Sequence, residues 1–290
     1  MDLWEVTAGH CFLAGAPGED GIVKPSRGVH AHLTDEGVLI SSLESAEEQN
    51  CEGLLEETEV PRCCGRLRGS SAREGRTWSE DGLLQYKDLL GAVPGPSPGS
   101  LRLVYCPHAG SAERRTRKDV ILCVSGGLDD GAVEVWSSEV TRRSRLGKPG
   151  KQRYLALVNP ASGSGEAGRK WALARELFDL LPWISITEVL TERQGQAMEL
   201  AQEVEVSSCD GILIVSGDGL VHEVLNGLAS RKDAQDALRI AIGHIPGGSG
   251  NGLAKSVLDW CGEKYGILEA AFLIAKGGHQ PLDLMTVSQP

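Results

Sequence analysis

The stretch IVSGDGLVHEVLNGL, residues 214–228, places one carboxylate between two glycines at the point where a strand pattern becomes a helix pattern. The apolar run that ends at Ser216 predicts a buried strand, and the residues after Gly219 predict an amphipathic helix. Asp218 is a good residue to cap a helix, but a cap needs no glycine on both sides. Gly217 and Gly219 instead permit close approach to a ligand. The stretch indicates a phosphate-handling turn whose carboxylate accepts a hydroxyl proton or holds Mg²⁺ through water.

Two more glycine-rich turns, NPASGSGEAG (159–168) and IPGGSGNG (245–252), also follow strand patterns. Strands are predicted at 154–158, 184–190, 211–216, 240–245 and 282–288, and helices at 168–181, 196–204, 220–230, 252–260 and 265–277. Continuous apolar strands separated by helices predict a parallel sheet. Ligands bind such sheets at the carboxyl ends of the strands. We therefore expect an α/β, Rossmann-like domain in which the three glycine turns meet at one crevice.

The first glycine turn leaves an alternative open. Gly163, Gly165 and Gly168 have the dinucleotide-binding spacing, and Glu188 follows about 20 residues later, as an NAD-type oxidoreductase requires. In that interpretation the other two glycine turns have no role. The residues GRK at 168–170 also exclude a Walker-type loop, which requires Gly-Lys-Ser/Thr. The simpler interpretation is that backbone N–H groups bind phosphate at a helix start.

Composition limits the partners and the compartment. The 290 residues carry a net charge of −11, which argues against nucleic acid as the main partner. The eight cysteines show no metal-binding spacing and predict reduced thiols of an intracellular protein. The sequence shows neither a signal peptide nor a run of about 18 apolar residues. Any contact with a membrane is therefore expected to be peripheral, with no transmembrane segment.

The first half has a different pattern and predicts a mostly-β domain over residues 1–141. The patterns predict a hairpin at 28–41, strands at 100–106 and 119–125, an irregular segment at 91–100, and an amphipathic helix at 130–143 with Val133, Trp136 and Val140 on one face. Acidic and then arginine-rich residues within 44–76 predict a solvated, disordered insertion. Residues 142–152 are expected to form a basic linker, or alternatively a surface that attracts anionic lipid.

With these motifs in place, residues 153–290 resemble the catalytic region of the diacylglycerol kinase superfamily, and within it the sphingosine kinases. SGDGLVHEVLNGL, LVNPASGSG, LTERQGQA and IPGGSGNGLAKSVLD occur in the family's order and spacing. Ser216 and the pair His222-Glu223 are more similar to the sphingosine kinases than to ceramide kinase or bacterial lipid kinases. The first half resembles the PH-like region that often precedes such kinase domains.

The resemblance implies a kinase that uses ATP and Mg²⁺ to phosphorylate the primary hydroxyl of a sphingoid base. It also implies a cytoplasmic protein that associates peripherally with intracellular or plasma membranes. Ceramide or diacylglycerol as the acceptor remains an alternative, as does a non-catalytic lipid- or nucleotide-binding relative. The chain stops at Pro290, where the family's lipid-binding part would follow, so we expect it to hold the nucleotide half of such a kinase.

The resemblance also implies roles for individual residues, with Asp218 as the general base and the metal ligands unassigned. The nucleotide contacts it implies are Asn159, Pro160, Ala161, Thr191, Glu192, Arg193, Gln194, Gly195, Glu223, Gly248, Ser249 and Gly250. The acceptor contacts are Ser216, Gly217, Asp218 and Gly219. Ala161 replaces an arginine of some relatives, so one phosphate contact is either absent or supplied by Arg169 or Lys170.

Overall fold

The computed structural model describes residues 11–14, 25–42, 82–109, 114–124, 130–147 and 150–287. The chain divides into two units, Met1–Ser144 and Arg145–Pro290. The predicted disordered insertion within 44–76 lies outside the described residues. Among the described residues, no helix combines the length and the apolar character that a membrane span requires.

The first unit contains nine strands and one helix among its described residues. They are β1 (Cys11–Ala14), β2 (Pro25–Leu33), β3 (Gly37–Ser42), β4 (Gly82–Gln85), β5 (Leu89–Pro94), β6 (Ser100–Tyr105), β7 (His108–Ala109), β8 (Arg114–Arg115), β9 (Lys118–Val124) and α1 (Asp130–Ser144). Seven strands form one antiparallel sheet in the order β4-β3-β2-β1-β9-β6-β5, and β7 pairs with β8 separately. The hairpin of β2 and β3 confirms the prediction over 28–41.

Helix α1 packs on this sheet through the face that the sequence predicts. Val133, Trp136 and Val140 are buried in one cluster with apolar residues of the sheet, such as Leu89 and Leu103. Spacing of three and four residues places these side chains on one side of a helix, so the amphipathic pattern is confirmed. The described part of this unit is thus mostly β with a terminal helix, and its likeness to a PH-like domain stays a prediction.

The second unit alternates strands and helices. Its elements are β10 (Gln152–Val158), α2 (Ser162–Gly165), α3 (Ala167–Phe178), β11 (Ile184–Leu190), α4 (Gln196–Glu203), a 3₁₀ turn (Val206–Ser208), β12 (Gly211–Ser216), α5 (Asp218–Ala229), α6 (Ala234–Ala237), β13 (Ala241–Pro246), α7 (Gly252–Trp260) and α8 (Ile267–Lys276). All strand pairs are parallel, in the order β11-β10-β12-β13. The predicted parallel α/β sheet is confirmed.

The order of the strands determines where a ligand can enter. From β10 the chain first adds β11 on one side and then crosses to β12 on the other, so the strand order reverses between β10 and β12. Ligands bind parallel sheets at such a switch point, at the carboxyl ends of the strands. All residues of β12 are buried, and Leu157, Ile212 and Ile214 pack against helix residues such as Val224 and Leu228. This rigid core holds the turns after β10 and β12 in place.

Two predictions of local structure are wrong. Residues 282–287 form no strand, and Leu282, Leu284, Met285 and Val287 are exposed, because no described strand pairs with this apolar segment. Residues 91–94 belong to β5, although they were expected to be irregular. Proline is tolerated at Pro94 because β5 is the last strand of its sheet and needs no further partner for a backbone N–H.

Regular elements reach into both ends of the predicted linker 142–152, which itself stays a prediction. Helix α1 continues through Ser144, and β10 already begins at Gln152. Both ends of the segment 142–152 are therefore part of regular elements. A basic composition alone does not end a helix, because arginine has a good helix propensity.

Candidate active site

The three glycine turns converge at the carboxyl ends of β10, β12 and β13. The N–H of Asp218 donates to the carbonyl of Gly250 at 3.0 Å, and the N–H of Gly247 donates to the carbonyl of Ser216 at 3.0 Å. A Cβ atom at Gly163, whose φ is +60°, would lie 2.2 Å from the carbonyl oxygen of Gly247. These contacts join the first turn to the third and the second to the third, as the sequence predicts.

The two glycines that flank Asp218 serve different purposes. A Cβ atom at Gly217 would lie 2.6 Å from the carbonyl oxygen of Gly250, and one at Gly248 would lie 2.3 Å from the Cα of Gly217. Main chain packs directly on main chain here, so Gly217 and Gly248 are needed for the fold. A Cβ atom at Gly219 would meet nothing within 4 Å. Gly219 thus borders open space, on the side where a ligand could approach.

The carboxylate of Asp218 caps a helix other than its own. Its Oδ2 accepts the N–H of Gly252 at 2.6 Å and its Oδ1 accepts the N–H of Leu253 at 3.1 Å, which are the first two residues of α7. The N-cap of its own helix, α5, is Gly217 and makes no side-chain cap. The sequence argument considered a cap of α5 only. Sequence reasoning missed this contact because the partners lie 34 and 35 positions further along the chain.

These contacts keep Asp218 ionised. Burial alone would raise the pKa of Asp218, but the hydrogen bonds from Gly252 and Leu253, with a smaller contribution from His244, lower it below its ordinary value of 3.8. The side chain is half-buried and lies beside exposed Gly219. The site therefore presents a fixed anionic carboxylate next to open space.

Ser216 links two turns and is itself only 4% exposed. Its hydroxyl lies 3.1 Å from the hydroxyl of Ser162, and its carbonyl accepts the N–H of Gly247 and the Nε2 of His244. Its predicted role as an acceptor contact stays a prediction. Ser162 and His244 were not predicted, although a histidine within the apolar strand IAIGHI was an available signal.

In the first turn, Asn159 shapes the loop. Its Oδ1 accepts the N–H of Ala161 at 3.1 Å, and both Pro160 and Ala161 are exposed. Ser164 adopts the left-handed region with φ of 61°, a conformation that costs energy for a residue other than glycine and that concentrates at functional sites. Arg169, one of the two predicted substitutes for a phosphate contact, forms an exposed ion pair with Glu166 at 3.0 Å.

The segment 191–195 lies beside the first turn. Thr191 is buried, and its N–H donates to the carbonyl of Val158 at the end of β10 at 2.8 Å. Arg193 is exposed, and its Nη1 donates to Glu199 at 2.9 Å. Gly195, with φ of 81°, is the N-cap of α4. The structure therefore brings this segment to the crevice edge, with its arginine already paired. Glu192 and Gln194 are exposed here as well.

Glu223 carries an unsatisfied acceptor. Its Oε2 is buried and has no hydrogen-bond partner among the described residues. Gly227, one helical turn later, packs so closely on α4 that a Cβ atom would lie 2.4 Å from the carbonyl oxygen of Met198. Residues four apart share a helix face, and α4 and α5 run in the same direction, so Glu223 faces the beginning of α4. This is the end of α4 that the segment 191–195 enters.

The third turn supplies backbone donors. The N–H of Gly248 is bound by the Oδ1 of Asn251 at 3.0 Å, which closes the turn. Ser249 and Gly250 are exposed, and their N–H groups donate to no acceptor in the described part of the chain. Exposed N–H groups of glycine-rich turns bind phosphate oxygens. Together with the open space at Gly219, they fit the phosphates of a nucleotide.

The side chains near the three glycine turns do not form a recognisable metal site. Within the described ranges, no group of three or more His, Cys, Asp or Glu side chains could hold a metal ion.

In the dinucleotide alternative, Glu188 is the acidic residue that would bind the ribose. The Oε2 of Glu188 instead accepts the Nε1–H of Trp171 at 2.7 Å and lies 3.6 Å from Arg175. That oxygen is therefore bound to α3.

The second unit is thus an α/β domain with three glycine turns and one fixed carboxylate at the switch point of its parallel sheet. Residues 153–287 match the family model described as "Diacylglycerol kinase catalytic domain". The similarity to this lipid kinase family thus lies in residues 153–287.

Several curated relatives are sphingoid base kinases. The chain is 34% identical over 232 residues to "Sphingosine kinase 2" of Homo sapiens, covering 76% of this chain and 30% of that protein. It is 31% identical over 261 residues to "Sphingosine kinase 1" of Arabidopsis thaliana, covering 89% and 50%. It is 39% identical over 140 residues to "Sphingoid long chain base kinase 4" of Schizosaccharomyces pombe, covering 48% and 29%. The chain spans half or less of the length of these relatives.

A solved structure is also similar. A "putative diacylglycerol kinase from Bacillus anthracis str. Sterne" is 30% identical, with a TM-score of 0.35 and coverage of 46% of this chain and 40% of that chain.

Proposed function

We propose that this chain is the nucleotide-binding part of an ATP-dependent lipid kinase that transfers the γ-phosphate to the primary hydroxyl of a sphingoid base. The product would be sphingosine 1-phosphate or phytosphingosine phosphate. The names of the similar sphingosine and sphingoid base kinases support this acceptor. Ceramide or diacylglycerol as the acceptor, and a non-catalytic lipid- or nucleotide-binding role, are the outcomes that the experiment below must exclude.

The observation that carries the proposal is the position of Asp218. Its carboxylate is held by two backbone N–H groups at the meeting point of the glycine turns, and it borders the open space beside Gly219. A fixed anion beside exposed N–H donors would serve little structural purpose beyond capping α7. It is well placed to orient a hydroxyl towards a phosphoryl group bound by those donors.

Different residues are assigned to phosphate binding and to the rest of the nucleotide. In the proposal, the N–H groups of Ser249 and Gly250 and the loop 159–165 bind the phosphates, while Thr191 and Glu223 lie on the nucleotide side. ATP supplies the phosphoryl group, and Mg²⁺ would neutralise its charge. The remaining nucleotide contacts that we propose are Asn159, Pro160, Ala161, Glu192, Arg193, Gln194, Gly195 and Gly248.

Asp218 acts mainly by position. The hydrogen bonds that lower its pKa also make it a weak base. A base works best when its pKa lies near the working pH, so early removal of the hydroxyl proton is unfavourable. Phosphoryl transfer needs little prior deprotonation, because positioning and charge stabilisation supply most of the rate. We therefore assign Asp218 the tasks of orienting the hydroxyl and accepting its proton late, as the phosphoryl group transfers.

The first unit and the membrane enter the proposal more generally. In the proposal, the kinase is cytoplasmic and associates peripherally with intracellular or plasma membranes, which brings it to its lipid substrate. Its first domain is PH-like and is joined to the kinase domain by a linker over residues 142–152. Binding of the purified chain to sphingolipid-containing vesicles, with neutral vesicles as the control, would test this part.

The decisive experiment compares Asp218→Asn with wild type, both in a full-length kinase that contains this chain, in a phosphorylation assay with labelled ATP and a panel of sphingosine, ceramide and diacylglycerol in mixed micelles. We expect turnover on sphingosine, reduced at least 100-fold in Asp218→Asn, which is the scale of losing a group that orients the hydroxyl and accepts its proton. Binding of ATP should change little. Asp236→Asn is the matched control, because Asp236 is an exposed residue of α6 outside the crevice.

Each other outcome has a distinct meaning. Turnover in Asp218→Asn equal to wild type would refute the role of Asp218. Preference for ceramide or diacylglycerol would change the acceptor only. Binding of ATP and lipid without any turnover by wild type would support the non-catalytic alternative.

A further inference from the structure

A buried histidine lies directly beneath the turn that carries Asp218. His244 is in β13, is 7% exposed, and places its Nε2 at 3.0 Å from the carbonyl oxygen of Ser216. The Nδ1 of the same ring is buried and has no hydrogen-bond partner among the described residues. An apolar residue would fit a buried strand without leaving an unpaired acceptor, which costs about 1–3 kcal/mol. The contact with Ser216 is the polar interaction that this buried histidine makes.

The geometry fixes the protonation of this ring. A carbonyl oxygen only accepts, so Nε2 carries the hydrogen and Nδ1 carries the lone pair. A second proton on Nδ1 would meet no acceptor. In agreement, burial lowers the pKa of His244, although the hydrogen bond to Ser216 and the charge of Asp218 oppose that shift. The ring is thus a neutral donor at neutral pH.

The carbonyl that His244 holds has both of its acceptor positions in use. The second donor is the N–H of Gly247, at 3.0 Å. Two donors fix the plane of the peptide bond between Ser216 and Gly217. Because this bond is planar, the direction of the Gly217 N–H is fixed with it. Asp218 follows immediately, and its own N–H is bound to Gly250.

We propose that His244 is a positioning residue, whose Nε2–H holds the Ser216 carbonyl and thereby fixes the turn that presents Asp218. His244 touches neither the acceptor nor the nucleotide in this arrangement. It acts through the peptide plane above it. A role of His244 in catalysis rests on the proposed function, whereas its effect on the structure of the turn does not.

The test uses the whole chain and hydrogen–deuterium exchange of residues 214–220, together with ATP titration. His244→Leu removes the donor, whereas His244→Gln keeps an N–H donor at nearly the same reach from the backbone. We expect exchange across the turn to rise about five- to ten-fold in His244→Leu, the ratio that corresponds to losing one hydrogen bond of about 1 kcal/mol. His244→Gln should restore exchange to within about twofold of wild type.

Ile240→Ala is the matched control for loss of packing. Ile240 is also 7% exposed and lies just before the other end of β13, away from the crevice. It should lower overall stability without selectively increasing exchange at residues 214–220. This separates a local effect on the turn from a general loss of stability.

The outcomes distinguish this inference from the proposed function. Unchanged exchange in His244→Leu, or failure of His244→Gln to restore it, would overturn the positioning role. If exchange responds as expected and ATP affinity falls in parallel, the inference and the nucleotide site are both supported. If exchange responds but wild type binds no ATP, the positioning role stands and the proposed function fails.

Discussion

Alanine substitutions at Gly217 and at Gly219 should change the stability of the protein in opposite directions, although the two glycines flank the same aspartate. Gly217 is in contact with the third glycine turn, whereas Gly219 borders open space. Comparing the two variants therefore separates a glycine that the fold requires from a glycine that ligand binding requires. The two changes are chemically identical, so each is the control for the other.

At Gly217 the expected loss of stability is steric. Its φ of −93° and ψ of −175° are allowed for alanine, so the backbone itself adds no strain. The new Cβ would lie 2.6 Å from the carbonyl oxygen of Gly250 and 3.4 Å from the Cα of Gly248. The shorter contact must open to at least 3.4 Å, which displaces the turn that accepts the Asp218 N–H. Overpacking of this kind costs about 1–3 kcal/mol.

At Gly219 we expect a gain of stability and a loss of binding. Gly219 lies in the first turn of α5, where alanine is favoured over glycine by up to about 1 kcal/mol. The new methyl group meets no protein atom within 4 Å, so nothing offsets this gain. The same methyl group would occupy the space beside Asp218 that the proposed phosphoryl transfer needs. ATP affinity or turnover should therefore fall while the protein becomes more stable.

Urea denaturation followed by circular dichroism measures the first quantity, and ATP titration with the sphingosine phosphorylation assay measures the second. Wild-type stability in Gly217→Ala would show that the close packing of the turns is wrong. Wild-type affinity and turnover in Gly219→Ala would show that the open space is not where the ligand lies. A loss of stability in Gly219→Ala would contradict the helix argument.

Three further predictions follow from the same contacts. The pKa of Asp218 is lower in the folded protein than in the unfolded chain, where it is near 3.9. The ionised Asp218 therefore stabilises the fold fully above the unfolded pKa, and this contribution is lost as the pH falls through the lower folded pKa. Asp218→Asn should remove this pH dependence from the acid denaturation curve. The hydroxyls of Ser162 and Ser216 should show a coupling of about 0.5–1.5 kcal/mol in a double-mutant cycle with alanine, measured by urea denaturation, and additivity would contradict the bond. Arg193→Ala breaks an exposed ion pair with Glu199 and should leave the melting temperature nearly unchanged, because such pairs contribute little; a drop in ATP affinity would mark Arg193 as a nucleotide contact.

The four strands and the longer helices of the second unit could be predicted because each carries a local signal. The strands 184–190 and 211–216 and the helix 252–260 agree with the structure residue for residue. Continuous apolar runs bounded by polar and glycine residues define a strand without knowledge of its neighbours. The crevice followed from the fold, since parallel strands bring the turns at their carboxyl ends together.

The errors arose where the structure of a segment depends on a partner. Residues 91–94 become a strand because β6 lies beside them, and residues 282–287 do not because no described strand pairs with them. Strand propensity mostly reflects packing on neighbours, which a single segment does not reveal. The same limit applies at the site, where the hydroxyl of Ser216 meets that of Ser162, a residue 54 positions away that the sequence did not single out.

The cap of α7 changes how the carboxylate between two glycines must be understood. If Asp218 served as a strong base, hydrogen bonds that lower its pKa would work against it. If it served only to cap α7, the open space beside Gly219 would have no purpose, and alanine there would be the more stable choice. Both features agree when the carboxylate orients a hydroxyl, because that task requires a fixed direction and a clear approach more than it requires basicity. The two N–H groups of α7 provide the direction, and Gly219 provides the approach.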